Sequence, residues 1–326
     1  MDVRIQRPNG FQSSSWGRLT SGSRVSIPNK IGSGLSTRLH FSNDLTTPVN
    51  VQVSGSWSPD TKNFKGSNYM INLIKLEFKR VFKSKNFYIA LGLTLILMLI
   101  AIYPRLEWKT EYDYVSAWLS SIGVGKAYIT LLFPALVAIP YSTMLAIEKK
   151  NNYLKYITIR TDKKKYLISK GIVNSICSGI ILLVPALIFS GICIYCFQNP
   201  SKFPEVMATF DDPASILLNI NPIFYIAFYS LWMFFQGVVW STVCYTISLI
   251  SNNILIISVG PFLYAIISNF LLAIIGLTRY TPPASFSPYL MTGTSILSMI
   301  SQPIVLVIFI LGISIYYKKY EESIYV

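Results

Sequence analysis

The chain has 326 residues, of which 52% are hydrophobic, and it carries a formal net charge of +14. Charged side chains make up only 13% of the residues and fall in short segments, whereas a soluble domain of this size would alternate buried and exposed positions. The positive charge could indicate a nucleic-acid partner, but it lies beside apolar stretches, which favours a membrane and excludes nucleic acid as the expected ligand.

Residues 1–69 form a polar, basic segment rich in Ser, Gly, Asn, Thr and Pro. No apolar run of signal-peptide length occurs in it, so it does not read as a secretory signal. Short β-type fragments at residues 24–27 and 48–53 could form a hairpin but no evident core. We expect a disordered tail or an expression fusion, with a genuine cytoplasmic tail as the alternative. Met70 then opens the membrane domain, residues 70–326.

Residues 71–82 mix apolar side chains with the cations Lys75, Lys79 and Arg80. Such a mixture is typical of a helix that lies in the membrane interface with its lysines reaching water. The alternative is a cytoplasmic extension of the first membrane span. We predict the interfacial helix.

Six apolar stretches without an internal charged side chain follow. They cover residues 87–103, 127–147, 171–197, 222–250, 254–277 and 295–317. Crossing a hydrocarbon core about 30 Å thick takes about 20 helical residues. Five stretches reach that length, and the first has 17 residues. Because backbone polar groups in lipid must be satisfied within the element, we predict an all-α polytopic membrane protein with six transmembrane helices.

Basic side chains mark alternate ends of these predicted spans. The segment before the first span, the loop between the second and third, and the C-terminal tail are rich in Lys and Arg, while the other three loops are poor in them. Basic flanks face the cytoplasm. Both termini are therefore predicted to be cytoplasmic.

Residues able to carry catalysis are sparse. There is one histidine, His40, and no Ser/His/Asp set or HExxH motif, while all four cysteines fall inside apolar spans. The fragment at residues 123–126 departs from an ATP-binding loop, because Ser120 stands at the first glycine position and Ala127 follows the lysine. We expect no catalytic, cofactor or metal site, and no ATP hydrolysis by this chain.

The polar groups within the predicted spans are neutral. Ion-coupled carriers usually hold ionisable side chains at membrane depth, so a transporter of this composition needs an external motor. Interhelical hydrogen bonding is the ordinary interpretation of Asn174, Gln236 and Asn269. Lining of a translocation pathway is the alternative.

The segment after the second predicted span could receive such a motor. Tyr153, Tyr156 and Ile157 fall at spacings of three and four residues, which predicts one aromatic and apolar face on a short cytoplasmic helix. Such a helix can insert into a groove on a partner. A solvated basic loop that binds anionic lipid headgroups fits the residues equally well.

This arrangement resembles the permease subunits of ABC-2-type exporters, of the compact bacterial kind that exports peptides, bacteriocins or drugs. The resemblance covers residues 70–326 and includes the amphipathic segment before the first span, the short loop at 251–253 and the Ser/Pro-rich stretch at 281–294. The end of the second span runs into an acid and a basic pattern formed by Glu148, Arg160, Lys163, Tyr166 and Lys170.

The resemblance implies a transport subunit and not an enzyme. This subunit would form a pathway for an amphipathic substrate in the bacterial cytoplasmic membrane. Its partners would be membrane lipid, a second permease copy or sister permease, and a separate ATP-binding subunit that holds ATP and Mg. A helix around residues 149–160 would couple to the ATPase, with Glu148 anchoring its start. A non-transporting immunity or receptor protein that binds a toxin or peptide is the alternative. The implied coupling residues are Glu148, Tyr153, Tyr156, Ile157 and Arg160.

Overall fold

A computed structural model describes residues 2–6, 17–18, 38–42, 68–107, 110, 112–123, 128–198, 213–290 and 293–324. The chain divides into two compact units, residues 1–60 and 61–326. Each is described by itself below.

The first unit contains a three-stranded antiparallel sheet. Its strands are β1 (Asp2–Gln6), β2 (Gly17–Arg18) and β3 (Arg38–Ser42), in the order β2-β1-β3. The register places Val3 of β1 opposite Phe41 of β3. The β-type fragments predicted at residues 24–27 and 48–53 lie outside the described residues, so the described strands form at other positions.

The described part of the second unit is helical. Its α-helices are α1 (Asn68–Lys83), α2 (Lys85–Ile102), α3 (Tyr114–Ile122), α4 (Tyr128–Ala138), α5 (Met144–Lys150), α6 (Tyr153–Arg160), α7 (Lys163–Cys196), α8 (Ser215–Ile220), α9 (Pro222–Ile250), α10 (Ile254–Ile274), α11 (Pro282–Phe286) and α12 (Ile296–Ile324). Within the described residues, five of them (α2, α7, α9, α10 and α12) are long and apolar enough to cross a membrane. The chain is thus a multi-pass membrane protein.

The second predicted span, residues 127–147, is not one continuous helix. The short apolar helix α4 ends at Ala138, a turn occupies residues 139–143, and α5 starts at Met144. Pro140 lies in the turn; it has no N–H to donate and its ring clashes with the carbonyl one turn earlier. Of the six predicted transmembrane helices, the second is therefore not present, within the described residues, as a single helix long enough to span.

Helices α7 and α9 form the closest packing in the bundle. A Cβ atom added at Gly237 of α9 would lie 3.0 Å from the Cα of Gly179 in α7 and 3.0 Å from the carbonyl oxygen of Ser178. Small residues allow two helix backbones to approach this closely in a membrane. The backbones of α7 and α9 are therefore in direct contact at this point.

One end of the bundle gathers the basic segments, and we call it the basic end. It holds the start of α2, the start of α7 and the end of α9. Lys149 of α5 bonds the last carbonyls of α9, and the Tyr245 hydroxyl of α9 donates to the Leu167 carbonyl of α7 at 2.6 Å. The opposite end is filled by aromatic side chains, where the rings of Phe133 and Phe286 stack with centroids 4.1 Å apart.

Candidate functional site

Four helices meet at the basic end and each contributes a charged or aromatic side chain to one cluster. Helix α1 packs on α7 through a buried stripe formed by Leu73, Glu77 and Val81. These residues are four apart and share one helix face. Val81 joins an apolar cluster with Tyr141 and Val173. A carboxylate is thereby placed in the middle of an otherwise apolar contact.

The buried cation of the cluster is Lys170 of α7, whose side chain is 1% exposed. Its Nζ lies 2.5 Å from Oε1 of Glu148 and 3.9 Å from Oε2 of Glu77. Both carboxylates are themselves at most 4% exposed. Three ionisable side chains have therefore left water together, and only their mutual attraction and hydrogen bonds offset the lost hydration.

Arg80 supplies the second cation. Its NH1 lies 2.9 Å from Oε1 of Glu77 and 3.5 Å from Oε1 of Glu148. Two cations and two carboxylates therefore alternate, and the cluster of Glu77, Arg80, Glu148 and Lys170 is neutral overall. We call these four side chains the ion cluster.

Two tyrosines donate hydrogen bonds to the carboxylates. The Tyr141 hydroxyl donates to Oε2 of Glu77, and the Tyr166 hydroxyl donates to Oε2 of Glu148 at 2.9 Å. Nζ of Lys170 donates to the Tyr166 hydroxyl oxygen at 3.1 Å and lies 5.2 Å from the ring centroid of Tyr141 and 5.1 Å from that of Tyr166. Cation–π attraction thus adds to the ion pairs.

The Arg80 side chain connects the ion cluster to α6. NH2 of Arg80 donates to the Tyr153 hydroxyl at 3.0 Å, and the guanidinium lies 5.8 Å from the centroid of that ring. Partial burial lowers the pKa of Arg80, but the Glu77 carboxylate and the Tyr153 hydrogen bond outweigh burial and raise the pKa overall. Arg80 therefore stays a cation and can bridge α1 and α6.

The junction between α5 and α6 is a tight bend. Asn152 adopts a left-handed backbone conformation, with φ of 56°, between the two helices. Asparagine tolerates this conformation better than most side chains. The bend separates Glu148, which lies in α5, from the first turn of α6. Glu148 consequently binds Lys170 and Tyr166. The resemblance to exporter permeases had implied instead that Glu148 anchors the start of the coupling helix, and the structure does not place it there.

Helix α5 is also fixed to the end of α9. Nζ of Lys149 donates to the carbonyl oxygens of Ser248 at 2.8 Å and Leu249 at 2.5 Å. The last carbonyls of a helix lack intrahelical partners and carry partial negative charge, so a lysine stabilises them. Burial, together with the nearby positive charge of Lys163, lowers the pKa of Lys149 from 10.5 to about 8.

This pKa predicts a pH dependence of stability. Between pH values of about 8 and 10.5 the unfolded chain holds a proton on Lys149 that the folded chain has released, so folded stability rises with pH across that window. We expect the melting temperature of the wild type, measured in detergent relative to that of Lys149→Met, to increase from pH 7.5 to pH 10. A constant difference between the two proteins would contradict this expectation.

The other predicted coupling residues lie on α6 in different environments. Tyr156 is 68% exposed and Tyr153 is 41% exposed although its hydroxyl is bound by Arg80. Ile157 is half-buried. The side chain of Arg160 is outside the described residues. Helix α6 thus presents at least one aromatic ring to its surroundings.

The predicted interfacial residues divide between two environments. Lys75 and Lys79 are exposed on α1, as the interfacial interpretation expects, whereas Arg80 points its guanidinium to Glu77 and Tyr153. Sequence reasoning missed the ion cluster. A signal was present, since Glu77 is the single acid in a basic segment and lies four residues from the apolar Leu73 and Val81.

Two of the three candidate pathway residues make interhelical hydrogen bonds. Asn174 is fully buried, accepts from the Ser142 hydroxyl at 3.0 Å and donates to the Ser241 carbonyl at 2.9 Å. Gln236 donates to the Ser285 carbonyl at 3.2 Å and to its hydroxyl at 3.1 Å. Asn269 is half-buried on α10. The first two therefore hold helices together.

The ion cluster joins α1, α5 and α7 through paired charges. Every charge of the ion cluster faces an opposite charge within 4 Å. In the part of the chain that the structure describes, no group of three His, Cys, Asp or Glu side chains is arranged to hold a metal ion.

Comparisons of the chain with models of protein families, with curated proteins and with solved structures found no match.

Proposed function

We propose that this chain is the transmembrane subunit of an ATP-driven exporter. It would form the translocation pathway for an amphipathic substrate, such as a peptide, bacteriocin or drug, and be powered by a separate ATP-binding subunit. The observation that carries the proposal is the attachment of α6, a short helix with an exposed aromatic ring. Arg80 of α1 bonds Tyr153 of α6, and the bend joins α6 to α5, whose Glu148 pairs with Lys170 of α7.

The contacts around α6 support a role in transmitting force. A displacement of α6 pulls on the bond from Arg80 to Tyr153 and, through the bend at Asn152, on α5. Glu148 of α5 then acts on Lys170 of α7 across 2.5 Å. Because three members of the ion cluster are buried and every member is paired, separating the charges is unfavourable, so the helices tend to move together.

The remaining features of the proposal follow the charge pattern. The basic end would face the cytoplasm, with both termini on that side, and the membrane would be the bacterial cytoplasmic membrane. Helix α4, the turn at residues 139–143 and α5 would together make a sixth, broken crossing. Such breaks are tolerated where neighbouring protein satisfies the freed backbone groups. A second permease copy or a sister permease would complete the pathway.

The class of substrate rests on the composition of the membrane helices. Within the six apolar stretches the polar groups are neutral amides and hydroxyls, and aromatic side chains make up 14% of the chain. Such an interior suits an amphipathic or apolar cargo better than a highly charged one, because a buried charge needs a paired partner. ATP and Mg would be bound by the partner ATPase.

The test is capture of the ATPase. We expect the full chain, affinity-purified in mild detergent from its native membranes, to carry a stoichiometric ATP-binding subunit identified by mass spectrometry. Tyr156→Asp should abolish that co-purification, since a carboxylate on the exposed ring position cannot enter an apolar groove. Tyr156 is the better choice than Tyr153 because it makes no bond to the ion cluster among the described contacts.

Tyr195→Asp is the matched control. Tyr195 is 91% exposed at the opposite end of α7, so the same substitution there should leave the ATPase bound. Co-purification that survives Tyr156→Asp would remove α6 as the coupling element. Purification of a folded wild-type chain without any ATPase would overturn the exporter proposal and favour the toxin-binding immunity protein.

A further inference from the structure

A cleft of about 550 Å³ opens at the basic end, beside the ion cluster. One wall is the junction of α1 and α2, with Lys83 and Ser84, and the other is α5 with Met144 and Ile147. Asn151, at the bend, and Tyr153 also line the cleft. The cleft is therefore a place where cations, neutral donors and apolar side chains face each other.

The start of α2 indicates where the cleft lies relative to the membrane. This helix begins at Lys85, immediately after Ser84, and it is one of the five helices long and apolar enough to cross a membrane. The boundary between hydrocarbon and headgroups lies where such a helix starts. The cleft is thus at the level of lipid phosphates.

One cation that lines the cleft, Lys83, has no carboxylate partner among the described contacts. Glu148 lines it, but its Oε1 faces Lys170 at 2.5 Å and its Oε2 accepts from Tyr166 at 2.9 Å. Arg80 is matched by Glu77 at 2.9 Å. Lys83 is exposed and makes no ion pair among the described contacts. The cleft as a whole is consequently complementary to an anion.

Neutral groups in the cleft suit a phosphate ester. The Ser84 hydroxyl, at the start of α2, makes no capping hydrogen bond, and the Asn151 side chain adds an amide donor. Met144 and Ile147 of α5 provide an apolar wall. A free phosphate would leave that wall without a partner, whereas the glycerol and first acyl carbons of a lipid would cover it.

From the juxtaposition of Lys83 and Ser84 with Met144 and Ile147 at the membrane boundary, we propose that the cleft is a specific site for an anionic phospholipid. The phosphate binds Lys83 and Ser84, and the glycerol and upper acyl chain lie on the α5 wall. A bound lipid would hold the α1–α2 junction against α5. This site does not depend on whether the chain exports a substrate.

Native mass spectrometry of the delipidated full chain in detergent tests the proposal. Dioleoyl phosphatidylglycerol is titrated against the wild type, Lys83→Ala and Lys75→Ala. Loss of one charge-assisted hydrogen bond weakens binding of the first lipid about tenfold. We expect that loss for Lys83→Ala and less than a twofold change for Lys75→Ala, since Lys75 lies about 12 Å away along α1. Dioleoyl phosphatidylcholine should bind less tightly than phosphatidylglycerol.

Three outcomes would overturn the site. The first is equal weakening by Lys83→Ala and Lys75→Ala, which means diffuse attraction to a basic surface. The second is tight binding of phosphatidylcholine that matches phosphatidylglycerol. The third is saturation by inorganic phosphate alone with no further gain from the lipid, which would assign the cleft to a soluble phosphate. Size-exclusion profiles of the variants establish that each is folded.

Discussion

Replacement of Lys170 by methionine is expected to be the most destabilising single change in the membrane unit. It leaves Glu148 and Glu77 buried with one cation between them, and removal of one partner from a buried ion pair costs about 3–5 kcal/mol. The measurement is the melting temperature of the purified protein in detergent. The reason lies in the burial of Lys170, whose side chain is 1% exposed, so water cannot replace the missing charge.

A double variant separates lost pairing from lost packing. Lys170→Met combined with Glu148→Gln removes one charge of each sign and keeps an acceptor for Tyr166, so it should recover most of the stability. Lys164→Met, an exposed position of the same helix, is the control and should be neutral. If the double variant is as unstable as Lys170→Met alone, the ion cluster is not what holds this end together.

Gly237→Ala is expected to have the second largest effect. The new Cβ would lie 3.0 Å from both the Gly179 Cα and the Ser178 carbonyl oxygen, and backbone atoms cannot turn aside as a flexible side chain would. Helices α7 and α9 must separate, and overpacking of this kind costs about 1–3 kcal/mol. Thermal unfolding in detergent again measures the change.

Gly191→Ala is the matched control for this prediction. It lies on α7, where an added Cβ meets no atom within 4 Å, and alanine favours the helix over glycine by about 1 kcal/mol. Gly191→Ala should therefore be neutral or slightly stabilising. Equal destabilisation by both substitutions would show that glycine is needed in α7 and α9 for a reason other than close approach.

The starts of α9 and α10 are features that local sequence predicts well. The stretches predicted at residues 222–250 and 254–277 correspond to α9 and α10. Both helices start at the predicted residue, where the side chains of Asn221 and Asn253 each accept a hydrogen bond from the second residue of the helix that follows. Hydropathy and capping depend on neighbours in the chain. A sequence alone is sufficient for such features.

The break in the second predicted span was only partly predictable. Pro134 and Pro140 both lie in the stretch 127–147, and the sequence gives no reason to choose between them. Pro134 lies inside α4, whereas Pro140 lies in the turn that ends it. Packing of the flanking residues decides which proline interrupts the helix, since a membrane helix can accommodate a kink at either.

The sequence by itself determined that this is a membrane protein, where five of its apolar helices run and which of its loops are basic. Only the tertiary structure decided which charges meet. Glu77, Glu148 and Lys170 are far apart in the chain and each stands among several basic residues, so many pairings satisfy the sequence equally. Packing of α1 on α7 excludes water from Glu77, Glu148 and Lys170. A carboxylate buried in this way is stable only when a cation is paired with it.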